Sequence, residues 1–423
     1  MSPAVTALII FVAFVIICIW DKLPMATTAI AACALMVICG ASNFSTAFGQ
    51  YAASSMVLLL GIMVVGAGMT ESGVAQSIAG IVTRYSKSDE RKIIAIAYII
   101  SYVMSAFMAT SSVLAMFMAI LFGMNTRDGK INHLNLIMPI LVSSIFGGIS
   151  TLVGSTQQVF ANGLIEELGY QFKVFDFLPT GLILGVIGFV YCTFIGYKRG
   201  KKIWGDREAT EGAELTVVTA GEIDKRKFYT MIGIMIFMVV GFVTEFISAA
   251  MTATVAGCLC IITGCVSQKK AISSINWNVL GRLGGVLGLS KVLTAAGTID
   301  LMSGWVQKII SPSLSPWILF AVCVLLAQLL SMVLFNSTAI LLVLSFVLTL
   351  VEPMHLNPVA FAFGITMGAS VVFSSPLAGT SNQMTMAAGY KFRDFIRYGL
   401  PIDIAGYLVL IIFVPIFFPL TLA

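Results

Sequence analysis

Four short clusters of hydroxyl, amide and glycine residues interrupt runs that are otherwise apolar. They are Thr110-Ser111-Ser112, Gly154-Ser155-Thr156-Gln157-Gln158, Asn336-Ser337-Thr338 and Gly379-Thr380-Ser381-Asn382-Gln383. Where a membrane helix breaks at such a cluster, the half-helix that restarts there presents free backbone N–H groups and a partial positive charge. Ser, Thr and Asn cap such starts well, and the helix start itself attracts anions. Carbonyls freed by the same break, with hydroxyl and amide oxygens, suit Na⁺. The clusters could therefore hold an anion and a cation together with no Arg or Lys among them. A single Ser/Thr cluster in a membrane helix usually serves packing or backbone bonding. Four clusters at matched positions in two repeats favour a binding site, for which the candidates are Thr110, Ser111, Ser112, Thr156, Gln157, Asn336, Ser337, Thr338, Ser381 and Asn382.

The elements that must carry these clusters have unusual lengths. Ile93–Met124 and Ser315–Val351 contain no charged residue and are broken in the middle by Ala109-Thr110-Ser111-Ser112 and by Asn336-Ser337-Thr338. One spanning helix takes ~20 residues, so each run is too long for one span and too short for two with a turn. A pair of re-entrant hairpins is the economical reading, since polar non-helical backbone at membrane depth must be buried in protein or line a watery cavity. The runs 135–163 and 358–388, which hold the two Gly-containing clusters, also exceed one span and are expected to unwind at their centres. Further spans are expected at 3–20, 23–40, 55–70, 178–197, 228–246, 247–265, 278–294 and 400–421, with amphipathic interface stretches at 71–84 and 298–310.

Composition agrees. Of the 423 residues, 59% are hydrophobic and 10% charged, against ~25% charged in soluble domains. The fold class is an all-α polytopic membrane protein. The net charge of +5 reflects location and does not indicate a nucleic-acid partner, because 20 of the 24 Lys and Arg fall in a few segments between spans. The cysteines all lie in apolar runs with no clustered His or carboxylate, and read as packing thiols. Pro3–Trp20 lacks a basic n-region and a small-residue cleavage site, and reads as a first helix.

Two copies of one unit are visible. Met25-Ala-Thr-Thr-Ala resembles Met251-Thr-Ala-Thr-Val, Thr110-Ser-Ser-Val-Leu matches Asn336-Ser-Thr-Ala-Ile, and Gly169-Tyr170 with Asp176-Phe177 returns as Gly389-Tyr390 with Asp394-Phe395. Each copy holds five spans and one hairpin. The expected layout is a first repeat over 1–197, a cytoplasmic linker over 198–227 and a second repeat over 228–423. The odd number of spans inverts the second copy, as in secondary transporters. Alternation from a cytoplasmic linker places 71–92, 122–134, 266–277 and 389–399 inside, and these are the other basic segments.

These features resemble the divalent anion/sodium symporter family of the ion transporter superfamily, over nearly the whole chain. Family members carry Ser-Asn-Thr at both hairpin tips; the aligned tips here read Ala109-Thr110-Ser111 and Phe335-Asn336-Ser337. The Gly-rich breaks lack the family's two prolines. The resemblance implies alternating-access transport of a small divalent anion, most simply a di- or tricarboxylate. It also implies Na⁺ as coupling ion at Thr110, Gly154, Asn336, Ser337, Gly379 and Thr380, no other cofactor, and a homodimer in a cell membrane, the bacterial inner membrane first. Sodium-independent anion exchange, sulfate transport and an ion channel remain as alternatives.

Other candidates are weaker. His133 and His355 sit at expected membrane edges. Glu71, Glu245, Arg282 and Lys291 lie near span ends, where long basic chains can snorkel to water. No acidic residue appears at the centre of an expected span, which counts against a proton antiporter. Nothing has the spacing of a nucleophile elbow or a metal site, so an enzyme is not expected.

Overall fold

The structure is a computed structural model that describes residues 2–20, 23–85, 90–123, 132–166, 168–205, 207, 224–298, 301, 315–348, 350, 354–386 and 388–422. The described residues are almost entirely helical; Leu356 and Thr421 form one isolated bridge. The first half contains α1 (Pro3–Trp20), α2 (Met25–Ile38), α3 (Phe44–Phe48), α4 (Ser54–Glu71) and α5 (Val74–Tyr85). It continues with α6 (Glu90–Ser105), α7 (Thr110–Gly123), α8 (His133–Gly148), α9 (Thr156–Glu166), α10 (Leu178–Val190) and α11 (Tyr197–Trp204). The second contains α12 (Lys225–Thr244), α13 (Ala249–Ile262), α14 (Gln268–Ser274), α15 (Trp277–Ala295) and α16 (Pro316–Ser331). It ends with α17 (Asn336–Leu348), α18 (Pro358–Ser370), α19 (Thr380–Met386) and α20 (Phe392–Phe417).

Both expected hairpins form. α6 and α7 are separated by Ala106–Ala109, and α16 and α17 by Met332–Phe335. Both long runs unwind where the Gly-containing clusters lie, over 149–155 and 371–379. Four helical stretches are long and apolar enough to cross a membrane among the described residues: Phe44–Glu71, Leu178–Trp204, Lys225–Thr244 and Phe392–Phe417. Their outer faces are apolar at helical spacing. Leu182, Val186 and Val190, and again Ile404, Leu408, Ile412 and Ile416, are exposed large hydrophobics four residues apart. In water such stripes would be costly; in lipid they are the required surface.

The last helix differs from expectation. It begins at Phe392 rather than near 400 and runs on through Pro401 and Pro415, so the basic segment at Arg393 and Arg397 belongs to the helix. α5 matches the expected interface stretch at 71–84. Most of its counterpart at 298–310 and most of the linker at 198–227 lie outside the described residues. At the linker's ends, α10 continues into α11 through a π-helical turn, Tyr191–Gly196, and α12 starts at Lys225.

Packing between the halves is reciprocal. α2 lies against α15 and α4 against α13; each hairpin lies against the broken span of its own half, α6 and α7 on α8, α16 and α17 on α18. The short helices after the breaks cross over, α9 onto α17 and α18, α19 onto α7 and α8. This exchange brings both hairpin tips and both breaks to one place.

Candidate functional site

Between the tips and the breaks lies a cavity of about 640 Å³. From the tips it is lined by Thr110, Ser111, Ser112, Asn336 and Ser337, and from the breaks by Gly154, Thr156, Gln157, Gly379, Thr380, Ser381 and Asn382. α7, α9 and α17 all start at its wall, with Thr110, Thr156 and Asn336 as first residues. Of their first-turn N–H groups, Asn336 N donates to Ala378 O, and Ser112 N and Thr338 N donate back to Ala109 O and Phe335 O, each at 2.9 Å; the first-turn groups of a helix have no acceptor within it. Thr338 is the exception among the sequence candidates: its hydroxyl lies 3.4 Å from Met25 Sδ, one helical face away from the cavity.

A serine at the end of each first hairpin arm locks the tip to the broken span. Ser105 Oγ donates to Ser144 O at 2.6 Å and lies 3.4 Å from Thr110 Oγ1. Ser331 Oγ lies 2.7 Å from Ala369 O and 2.6 Å from Asn336 Oδ1. A hydroxyl has one proton, so Ser331 cannot donate to both. Which amide atom faces it is settled by satisfying the network. If Ser331 donates to Ala369 O, it can accept from the Asn336 NH₂, and the Asn336 carbonyl oxygen then faces Gly379. There a Cβ built on Gly379 would still be 3.8 Å from the amide.

The unwound backbone is held by side chains, again in matching pairs. Thr151 Oγ1 donates to Ala106 O (2.5 Å) and accepts from Gly154 N; Ser375 Oγ donates to Met332 O (2.5 Å) and accepts from Leu377 N. Gln328 Nε2 reaches Val371 O at 2.8 Å. Asn382 Nδ2 donates to Val372 O and Ser375 O at 2.9 and 2.8 Å. Asn382 thus spends its donors on the break, although it touches the cavity. Ser155 donates to the Gln157 side-chain oxygen.

Three features escaped the sequence reading. Asp403 is buried near the middle of α20 and accepts from Phe373 N (2.7 Å) and Ser374 N (3.0 Å). An acidic residue therefore does lie at the centre of a span. The cause is the earlier start of α20, which moves Asp403 from a helix end to its interior. Arg282 does not snorkel away: it lines the cavity from α15, with its guanidinium 5.7 Å from the Phe335 ring centre. At the rim, Lys270 and Glu71 form an ion pair of 2.5 Å. Glu245 pairs with Lys173 at 3.1 Å, away from the cavity. Among the described residues no group of three or more His, Cys, Asp or Glu could hold a metal.

The sequence profile of a family described as citrate transporters (CitMHS) matches residues 15–315 and 239–422. The chain belongs to the citrate transporter family. It is 19% identical to the uncharacterized transporter sll0640 of Synechocystis, over 95% of each chain. It is 26% identical to the Na(+)/dicarboxylate cotransporter 3 of Mus musculus over 148 residues, 34% of this chain and 24% of that one. Its fold is similar to that of MtrF of Neisseria gonorrhoeae, with a TM-score of 0.62 and 11% identity over 98% of this chain and 95% of that one. Family and fold agree with the helices in assigning a multi-pass membrane protein, a secondary transporter and not an enzyme.

Proposed function

We propose that the protein carries a small divalent anion, a di- or tricarboxylate in the first instance, across a bacterial inner membrane by alternating access. The observation that carries this reading is the convergence of both tips and both breaks on one cavity, where three helix starts face inward. Helix starts favour anions, and about 640 Å³ is within the range of small-molecule sites. The halves 1–197 and 228–423 act as two inverted repeats joined by 198–227, and the reciprocal packing supports that layout. With the basic segments inside, the rim at Glu71 and Lys270 faces the cytoplasm.

Na⁺ is the proposed coupling ion. The support is strongest in the second half, where Asn336, Ser337, Gly379 and Thr380, all with oxygens to offer, line the cavity together. In the first half Thr110 and Gly154 occupy the matching places, with one hydroxyl in place of an amide. The test is anion uptake into proteoliposomes under an inward Na⁺ gradient, against uptake driven by internal unlabelled anion alone. Accumulation that follows the Na⁺ gradient is expected. If Na⁺ changes neither rate nor level while internal anion speeds uptake, the protein is a sodium-independent exchanger.

A further inference from the structure

We infer that Arg282 is the fixed counter-charge of the substrate, seating one anionic oxygen in a recess between Arg282, Thr156 and Ser337 and so selecting dianions over monoanions. The inference rests on the anion-transport reading and adds the residue and the charge class.

Charge at the cavity wall comes first. Three charged side chains line it among the described residues, Glu71, Lys270 and Arg282. Glu71 and Lys270 neutralise each other. No carboxylate among the described residues pairs with Arg282, and its buried Nε has no hydrogen-bond partner there. Arg282 is half-buried, and a partly desolvated guanidinium without a counter-charge is unfavourable. The face of Phe335 offers it only a weak attraction at 5.7 Å. A bound anion supplies what is missing.

The shape of the wall agrees. Beside the main cavity is a recess of about 30 Å³ bounded by Arg282, Thr156 and Ser337 with Leu59, Phe160 and Leu283. That is room for one water-sized group. Its polar rim consists of donors, one guanidinium and two hydroxyls, on an otherwise apolar floor. An oxygen of a carboxylate or sulfate matches both the size and the donor set, and Arg suits such groups better than Lys because of its fork of N–H donors.

Position gives the charge preference. Arg282 belongs to α15, which packs on α2 and α3, whereas the tips pack on α8 and α18. The facing element of the first half, α4, lines the cavity with Leu59, Ile62 and Met63 and has no cation there. One acidic group of the substrate can rest on the helix starts alone; the second needs Arg282. A monoanion leaves one of the two unused.

The test compares wild type, Arg282→Gln, Arg282→Lys and Ser337→Ala in proteoliposomes, using labelled succinate, citrate and sulfate against monomethyl succinate. Wild type should favour the dianions. Arg282→Gln should lower the dianion-to-monoester ratio of kcat/KM by about tenfold or more, with Arg282→Lys restoring part of it and Ser337→Ala lowering it less. A wild type that transports but does not favour dianions overturns the role of Arg282, and this result needs no variant to fold. So does Arg282→Gln with the wild-type ratio, in which case the recess holds only water. Uptake of no anion at all would instead remove the transport reading itself.

Discussion

At the scale of residues, the two halves use the same scaffold with different tolerances. A Cβ on Gly154, the match of Gly379, would lie 2.5 Å from Ser105 O, and one on Gly148 would run into Thr110 Oγ1, whereas one on Gly379 meets nothing closer than 3.8 Å. Gly379 also has no left-handed φ. Gly148→Ala is therefore expected to push the first tip off the broken span, costing about 1–3 kcal/mol as an overpacked site, and Gly379→Ala to fold normally. Thermal denaturation of the two variants in detergent checks this; equal melting temperatures would contradict the tight first tip. The four polar clusters were legible because they recur at matched positions inside apolar runs. Arg282 was not, since one cation near the start of a span looks like any snorkelling side chain until the cavity is seen behind it.

At the scale of elements, each break survives because its backbone groups have partners, as buried polar backbone must. In the second break the main partner is Asp403, and Gly399 one turn earlier lets α20 approach the Phe373–Ser374 backbone. The first break uses another solution: Leu152 N donates to Val174 O at 2.9 Å and Gly154 N to Thr151 Oγ1 at 3.0 Å. Asp403→Ala would orphan two backbone donors, at about 1–3 kcal/mol each. A clear fall in melting temperature is expected, with Asp403→Asn intermediate because it keeps one acceptor. An unchanged melting temperature for Asp403→Ala would contradict the role of Asp403 as acceptor for the break. The hairpins and unwound centres were legible from run length together with the polar clusters inside the runs. Asp403 was not, because the charges at Lys391, Arg393 and Arg397 look like a loop and hid the first turns of α20.

At the scale of the whole molecule, the crossing of α9 and α19 between the halves brings lining residues of both to one cavity. Neither half contains a complete wall. The matched motifs could be read from the sequence, but the crossover could not, because it depends on how separate helices pack. The central claim is that the cavity between the tips is the substrate site of a divalent-anion transporter. Exchange of labelled anion by proteoliposomes, screened over succinate, malate, 2-oxoglutarate, tartrate, citrate and sulfate, tests it most directly. Wild type should show saturable exchange of at least one of these anions. Asn336→Ala, reconstituted to the same level, should need about tenfold more of it for half-maximal rate, and the double change with Thr110→Ala should need more still. No saturable exchange by wild type, or wild-type affinity in the double variant, would contradict the account.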